Sequence, residues 1–161
     1  MKLDRIKYIF CDFDGVLTDN KVYLNENGLE SVVLNRSDGL AIDILKKNYI
    51  KVFVISTESN KVVAERCKKL NVNCFQNLNN KKKFIEDFLI KKKIDIVECI
   101  YIGNDLNDYS AMQIFQNSFC PMDSHIIIKN LAKKTLNLKG GEGILMEIIE
   151  NIDGIDLGIN L

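Results

Sequence analysis

Short apolar runs alternate along this chain with longer segments in which apolar residues recur every three or four positions. Ile6 to Cys11, Ile50 to Ile55 and Val97 to Ile102 are brief, rich in Ile, Val and aromatic side chains, and each stops at a polar or glycine-containing turn. Runs of this kind predict strands buried on both faces of a parallel sheet. Between them, Leu40 to Lys47, Asn60 to Leu70 and Lys81 to Ile90 carry the helical period, with Phe84, Ile85, Phe88 and Leu89 on one face. Further helices are predicted after Asn107 and Glu142. The alternation predicts an α/β fold, a parallel sheet covered by helices on both faces.

One segment breaks the alternation. Lys21 to Leu24 and Ser31 to Leu34 flank Asn25-Glu26-Asn27-Gly28, which holds a strong turn dipeptide. Residues 20–35 therefore predict a β-hairpin inserted directly after the first strand. Val22 and Leu24 alternate along one arm, Val32 and Leu34 along the other. Isolated hairpins are marginal in water, so this one is expected to pack on something, with a second subunit the leading choice.

Composition narrows the class. The chain's 161 residues suit one domain, read here as 1–161. Twenty-two basic residues balance twenty-two acidic ones, which speaks against a nucleic acid or a membrane as partner. No apolar run approaches the roughly 18 residues needed to cross a bilayer, and the N-terminus, Met1 to Arg5, lacks a leader's apolar core. A cytoplasmic protein is the expectation. Five widely spaced cysteines without a CxxC pair read as reduced, mainly buried thiols. The lone His125 has no second histidine with which to build a triad or a metal cluster.

The candidate chemistry follows the strands, because ligands of an open parallel sheet bind beyond its carboxyl ends. The first run exits into Asp12-Phe13-Asp14-Gly15-Val16-Leu17-Thr18-Asp19, the second into Ser56-Thr57-Glu58, and the last into Gly103-Asn104-Asp105-Leu106-Asn107-Asp108. Carboxylates gathered this closely repel unless a cation neutralises them. A hard divalent ion such as Mg²⁺ (magnesium) answers that need and shares phosphate oxygens with a substrate. Lys81, at the start of the third helix, is placed to meet a phosphate or a carboxylate. Asp in such turns also caps strand ends, and it is the combination that favours chemistry. A dinucleotide site would need a glycine-rich first turn, and a P-loop needs GxxxxGK[ST]; neither is present. A phosphoacceptor receiver needs an acid after the third strand, where this chain has Gln76-Asn77-Leu78-Asn79-Asn80.

These residues resemble the haloacid dehalogenase-like phosphotransferases. Asp12 to Asp19 resembles the first motif of that family, Ser56 the second, Lys81 the third and Gly103 to Asp108 the fourth. Asn35-Arg36-Ser37-Asp38-Gly39, Glu65-Arg66-Cys67 and Gly140-Gly141-Glu142-Gly143 extend the likeness to its small, capless branch. That branch dephosphorylates 2-keto-3-deoxy sugar acids of eight or nine carbons. The resemblance implies a Rossmann-like sheet and a magnesium-dependent phosphatase working through an aspartyl-phosphate. It implies Asp12 as nucleophile, Asp14 as general acid and base, and Lys81 as a catalytic and phosphate-binding cation. Ser56 and Thr57 would hold the phosphate, and Asp12 with the Asp14 carbonyl would hold the metal.

The fourth motif departs from the family pattern, because Asn104 stands where an aspartate follows the glycine. Asn104 ligates without charge, or Asp105 or Asp108 compensates. The departure keeps open a non-catalytic scaffold or regulatory domain of the same fold. For the substrate, Glu58 and Lys69 resemble the nine-carbon members, whereas octulosonate members carry Arg at the position of Glu58; Arg36 is a further substrate-binding candidate. The favoured substrate is a nine-carbon, sialic-type acid 9-phosphate, and 3-deoxy-D-manno-octulosonate 8-phosphate is the alternative. The resemblance also implies a homotetramer, with the hairpin at its axis and the Gly140–Gly143 segment bending over a neighbour's site.

Overall fold

The computed structural model of this chain describes residues 5–158; Met1 to Asp4, part of the N-terminus read above, lie outside them. The elements in chain order are β1 (Tyr8–Cys11), β2 (Tyr23–Leu24), β3 (Glu30–Ser31), α1 (Arg36–Lys47), β4 (Lys51–Ile55), α2 (Lys61–Leu70) and β5 (Asn73–Phe75). There follow α3 (Lys81–Lys92), β6 (Cys99–Ile102), α4 (Tyr109–Met112), β7 (Ser118–Cys120), α5 (Ile126–Leu131), β8 (Lys134–Thr135) and α6 (Ile144–Glu150). Six strands form one sheet in the order β5-β4-β1-β6-β7-β8, and every pairing is parallel. The chain moves from β1 out to β4 and β5, then returns to β6 on the other side of β1. That reversal opens a crevice at the carboxyl end of β1.

Helices cover both faces, as the alternation predicts. The α1, α2 and α6 helices enclose one core around Ile9, Cys11, Val54 and Ile100. The α3, α4 and α5 helices enclose the other around Phe10, Phe53, Ile55 and Tyr101. Strand β1 is thus sealed from both sides, with Ile9, Phe10 and Cys11 fully buried. Each fully buried side chain of this size contributes about 1.5–3 kcal/mol, enough in aggregate to hold a charged residue at the strand's end against the cost of burying it. The strands align so that Cys11 faces Val54 on one side and Ile102 on the other. One residue further on, Asp12 sits level with Gly103, and Ser56 follows one step beyond on β4.

The hairpin forms where expected, with Tyr23 opposite Ser31 and a Thr18–Leu34 bridge at its base. Part of it packs within the chain. Val32 and Leu34 pack against the α1/α2/α6 core, while Val22, Tyr23, Leu24, Leu29 and Val33 stay exposed. The Gly140–Gly143 segment also packs within the chain. It lies on this chain's own Gly15–Asp19 loop, with the Gly141 N–H donating to the Val16 carbonyl at 3.0 Å. A Cβ on Gly140 would stand 2.2 Å from the Gly15 carbonyl oxygen, so the contact demands glycine. All five cysteines are free and four are buried. His125 caps α5, its Nδ1 accepting from the Ile127 N–H. Among the described residues no helix is long and apolar enough to cross a membrane.

Asp38, in the first turn of α1, ties that helix to α6. One carboxylate oxygen accepts from the Leu145 N–H at 2.9 Å, and the other is buried without a partner among the described residues. Burial pushes this carboxyl up from 3.8 to about 6, against the pull of the Leu145 N–H and the Arg66 charge. Between those values the folded chain keeps a proton that the unfolded chain releases, so stability falls as pH rises through the window. Two units correspond to about 3 kcal/mol. Asp38→Asn retains an acceptor for Leu145 but cannot ionise. In urea unfolding, the stability of wild type relative to this variant is expected to drop by about 3 kcal/mol between pH near 4 and pH above 6. Parallel pH profiles for the two proteins would contradict the assignment.

Candidate active site

Asp12, Asp14, Asn20, Ser56, Thr57, Glu58, Asn104, Asp105 and Asn107 line one cavity of about 340 Å³ beyond the carboxyl ends of β1, β4 and β6. Three separate chain segments converge there because β1 is flanked by β4 and β6.

Asp12 is 3% exposed. Its N–H donates to the Ile102 carbonyl at 2.9 Å, extending the β1–β6 ladder by one bond. One carboxylate oxygen accepts from the Phe13 N–H at 2.8 Å, and the other meets Lys81 Nζ at 2.8 Å. Lys81 begins α3, whose first turn is capped by the Asn80 side chain. Its ammonium also contacts Asp108 Oδ1 at 2.7 Å, and its side chain is fully buried. Burial, then the Asp108 charge, drive the Asp12 carboxyl well above the usual carboxylate range, while Lys81 pulls it back. Burial works against the Lys81 charge, but Asp12 and Asp108 overcome it and hold the ammonium above its ordinary value. Two carboxylates thus share one ammonium, leaving surplus negative charge at the cavity floor.

Asp108 uses both its oxygens inside the protein. Besides Lys81, Oδ1 accepts from the Tyr101 hydroxyl at 2.8 Å, and Oδ2 accepts from the Asn104 N–H at 2.9 Å and the Asp105 N–H at 3.4 Å. Burial, then the Asp108 charge, keep the Tyr101 phenol protonated and available as that donor. Asp108 therefore braces Lys81 and the Asn104 loop from behind, and it is not among the groups that face the cavity. Asp105 is exposed and caps the short 3₁₀ turn Leu106–Asp108, accepting from the Leu106 N–H at 2.7 Å.

Asp14 is half-buried at the cavity wall, with the Thr18 hydroxyl donating to its Oδ1 at 3.3 Å. Burial raises its carboxyl above the ordinary value; Thr18 opposes this and the nearby Glu58 charge adds to it. A carboxyl raised in this way is suited to deliver a proton and then retrieve one. Between Asp14 and Asn104 the loop turns through Gly15 at φ +77°, where a Cβ would fall 1.9 Å from Asn104 Nδ2. Glycine here lets the first and fourth motifs close on each other.

Ser56 is buried, and its Oγ accepts from the Glu58 N–H at 3.0 Å, which leaves the hydroxyl proton to donate toward the cavity. Thr57 is exposed beside it, meeting the Asn107 amide at 3.5 Å. Glu58 stands exposed at the cavity mouth.

Besides Asp108, three candidates lie outside the cavity lining. Lys69 lies exposed in the last turn of α2, eight residues past its start and so about 12 Å along the helix; it does not line the cavity. Arg36 is exposed at the start of α1 and does not line it either. Lys81 reaches the site through Asp12 rather than through the cavity wall. Conversely, Asn20, Asn107 and Tyr101 take part although no role was assigned to them from sequence. Asn20 has φ 63°, and an Asn in the left-handed region just after the first motif is the signal that could have marked it. Tyr101 lies inside an unbroken apolar run, where nothing marks its hydroxyl.

Whether these residues suit a cation can be read from their donors. Among the described residues no three His, Cys, Asp or Glu side chains converge to hold a metal. The oxygens present are carboxylates of Asp12, Asp14, Glu58 and Asp105 and neutral groups of the neighbouring residues. One of these, Asn104 Oδ1, is buried and has no hydrogen-bond partner. An orphaned acceptor next to surplus negative charge fits a hard, oxygen-seeking divalent ion.

Comparison with known proteins adds an independent line. The model of a family described as haloacid dehalogenase-like hydrolase matches residues 43–148. The chain is 31% identical to 3-deoxy-D-manno-octulosonate 8-phosphate phosphatase of Salmonella typhi, over 92% of this chain and 80% of that one. It is 28% identical to N-acylneuraminate cytidylyltransferase A of Danio rerio over 94% of its own length, but spans only 36% of that longer protein. Among solved structures it resembles the octulosonate 8-phosphate phosphatase of Moraxella catarrhalis, crystallised with magnesium, phosphate and the sugar acid KDO. The TM-score is 0.87 at 26% identity, covering 92% of this chain and 86% of that one.

Proposed function

The chain belongs to the haloacid dehalogenase-like hydrolases, and we propose that within that family it is a Mg²⁺-dependent phosphatase for the phosphomonoester of a 2-keto-3-deoxy sugar acid. The observation that carries this reading is the buried Asp12 carboxylate, held by Lys81 at 2.8 Å beside a cavity that it shares with Asp14 and Ser56.

Asp12 attacks phosphorus in line and becomes an aspartyl-phosphate, while Asp14 delivers its proton to the departing alkoxide. Asp14, now ionised, takes a proton from the water that attacks the same phosphorus, releasing phosphate and restoring Asp12. The Ser56 hydroxyl and Thr57 hold the non-reacting phosphate oxygens. Lys81 orients Asp12 and offsets its charge; Asp108 and Tyr101 orient Lys81. Asp12, Asn104 Oδ1 and Asp105 are the groups that would hold the metal, with Asp108 committed behind them. When bound, Mg²⁺ neutralises charge on the phosphate and on Asp12.

Chelation is expected to abolish phosphate release and added Mg²⁺ to restore it, with Ca²⁺ a poor substitute because it relaxes the compact octahedral geometry. Asn104→Asp adds a charge at the orphaned donor and should lower the Mg²⁺ concentration for half-maximal activity. An unchanged requirement would make Asp105 the working ligand, and turnover that survives exhaustive chelation would defeat the metal assignment.

Glu58 at the cavity mouth supports a nine-carbon, sialic-type substrate. It cannot pair with a sugar carboxylate but accepts hydrogen bonds from hydroxyls and amides. With Lys69 at the far end of α2, that preference rests on Glu58. The eight-carbon octulosonate ester is the second reading, supported by the Salmonella and Moraxella proteins. The exposed hairpin residues Val22, Leu24 and Leu29 support assembly into a homotetramer through this face. Leu24→Glu is expected to shift the sedimenting species to smaller size and raise KM. A fully active wild-type monomer at assay concentration would exclude the assembly.

A further inference from the structure

A second, smaller cavity of about 200 Å³ opens from the first beneath the hairpin, and Asp14 and Glu58 line both. Its walls are of two kinds. Val22 and Val32 of the hairpin and Val62 of α2 supply an apolar side; Asp14, Glu30 and Glu58 supply carboxylate acceptors, with the Asn20 and Asn60 amides beside them. Glu30 is engaged by the Asn60 side chain across the gap, which ties the hairpin to the start of α2; with Asp14 given to the leaving oxygen, Glu58 is the carboxylate left to meet a ligand. No lysine or arginine lines the space.

The reaction fixes what can enter. Asp14 protonates the leaving oxygen in the phosphatase reading, on which this inference rests, so the group beyond that oxygen is the one directed past Asp14 and under the hairpin. We infer that this cavity is a leaving-group subsite that selects an acylamino substituent, its N–H donated to Glu58 and its alkyl end set against Val22, Val32 and Val62. A bare hydroxyl would satisfy the acceptor and leave the valines facing water. A carboxylate would stand against the Asp14, Glu30 and Glu58 carboxylates, so the acid end of the sugar lies outside. The volume suits a short substituent rather than a whole sugar, because complete small-molecule sites occupy about 300–1,000 Å³.

Two readouts test the subsite. The first needs no turnover: saturation-transfer NMR with free N-acetylneuraminate and the full chain. The acetyl methyl is expected to be the most strongly saturated proton in wild type. That dominance should be lost in Val62→Thr, which keeps the shape and adds a hydroxyl. Saturation spread evenly over the sugar, or a methyl signal indifferent to Val62→Thr, would overturn the subsite. The second is the ratio of kcat/KM for N-acetylneuraminate 9-phosphate to that for its counterpart with a hydroxyl replacing the acetylamino group. Wild type is expected to favour the acylated ester by about tenfold or more, the discrimination a small apolar contact supplies, and Val62→Asp should erase that preference. Equal values in wild type would overturn the inference. A chain that shows the methyl contact yet hydrolyses no phosphate ester would overturn the phosphatase reading and leave the subsite standing.

Discussion

Asp12→Asn is expected to reduce phosphate release by roughly four orders of magnitude or more, the loss typical of removing a catalytic nucleophile, while the protein stays folded. An amide at this position cannot displace an alkoxide, yet it keeps the size of the carboxyl and an acceptor for the Phe13 N–H at 2.8 Å. Folding should survive for an electrostatic reason as well. Asp12 is 3% exposed and shares Lys81 with Asp108, so neutralising one of the two carboxylates leaves a buried pair of matched charge. Circular dichroism and urea unfolding read the fold, and a phosphate-release assay reads the chemistry. Near-normal turnover by a folded Asp12→Asn protein would make the aspartyl-phosphate route wrong.

Lys81→Met is expected to have the opposite profile, damaging the fold and the chemistry together. Its ammonium lies 2.8 Å from Asp12 and 2.7 Å from Asp108, with no exposed side-chain surface. Methionine fills comparable space, so the loss is one of charge. Two buried carboxylates would then face each other without a cation, and removing one partner of a buried ionic cluster costs about 3–5 kcal/mol. The sign of the pH effect follows. Without Lys81, Asp12 is pushed further toward the protonated form, so the folded variant binds a proton that the unfolded chain releases. Its deficit should therefore shrink as pH falls toward 5 and be largest near pH 8. Phosphate release should drop by about two orders of magnitude or more even where the variant is folded, because the charge that steadies Asp12 is gone. Stability within about 0.5 kcal/mol of wild type at neutral pH would contradict the role given to Lys81 in this cluster.

Those effects explain which parts of the molecule could be read from the sequence. Strands β1, β4 and β6 are continuous apolar runs because they are buried on two faces, and runs of that kind advertise themselves. The β7 and β8 strands and the α5 helix were not anticipated. They hold three, two and six residues, too few for any period to emerge, and their place is set by pairing with β6 and by one another. The hairpin was legible from its turn, but its packing was not. The alternation of Val32 and Leu34 is the same whether they meet a neighbour or this chain's own core, and only the tertiary fold decides.

At the site, the residue types were legible and the directions in which they act were not. Asp12, Asp14 and Ser56 stand where strand-end logic puts them. Asp108 lay in the same acidic run as Asp105, and nothing local separates a carboxylate facing a cavity from one facing a buried lysine. The difference comes from Lys81 and Tyr101, 27 and 7 residues away. Lys69 shows the converse: it shares a helix with residues at the cavity, but helical rise carries it toward the other edge of the sheet. The Gly140–Gly143 segment had the composition of a mobile strap, whereas its glycines serve close packing on the first-motif loop.

The central claim, that Asp12 is phosphorylated during turnover, can be tested by acid-quenching an Asp14→Asn variant during reaction with Mg²⁺ and an aryl phosphate, whose leaving group departs without a proton from Asp14. In that variant the second step is slowed, because no carboxylate remains to take the proton of the attacking water. Peptide mass spectrometry is expected to find one phosphoryl group on the segment containing Asp12, removed by hydroxylamine as an acyl phosphate would be. Continued phosphate release with no phosphoryl group on the chain, or with the group on any residue other than Asp12, would contradict the account.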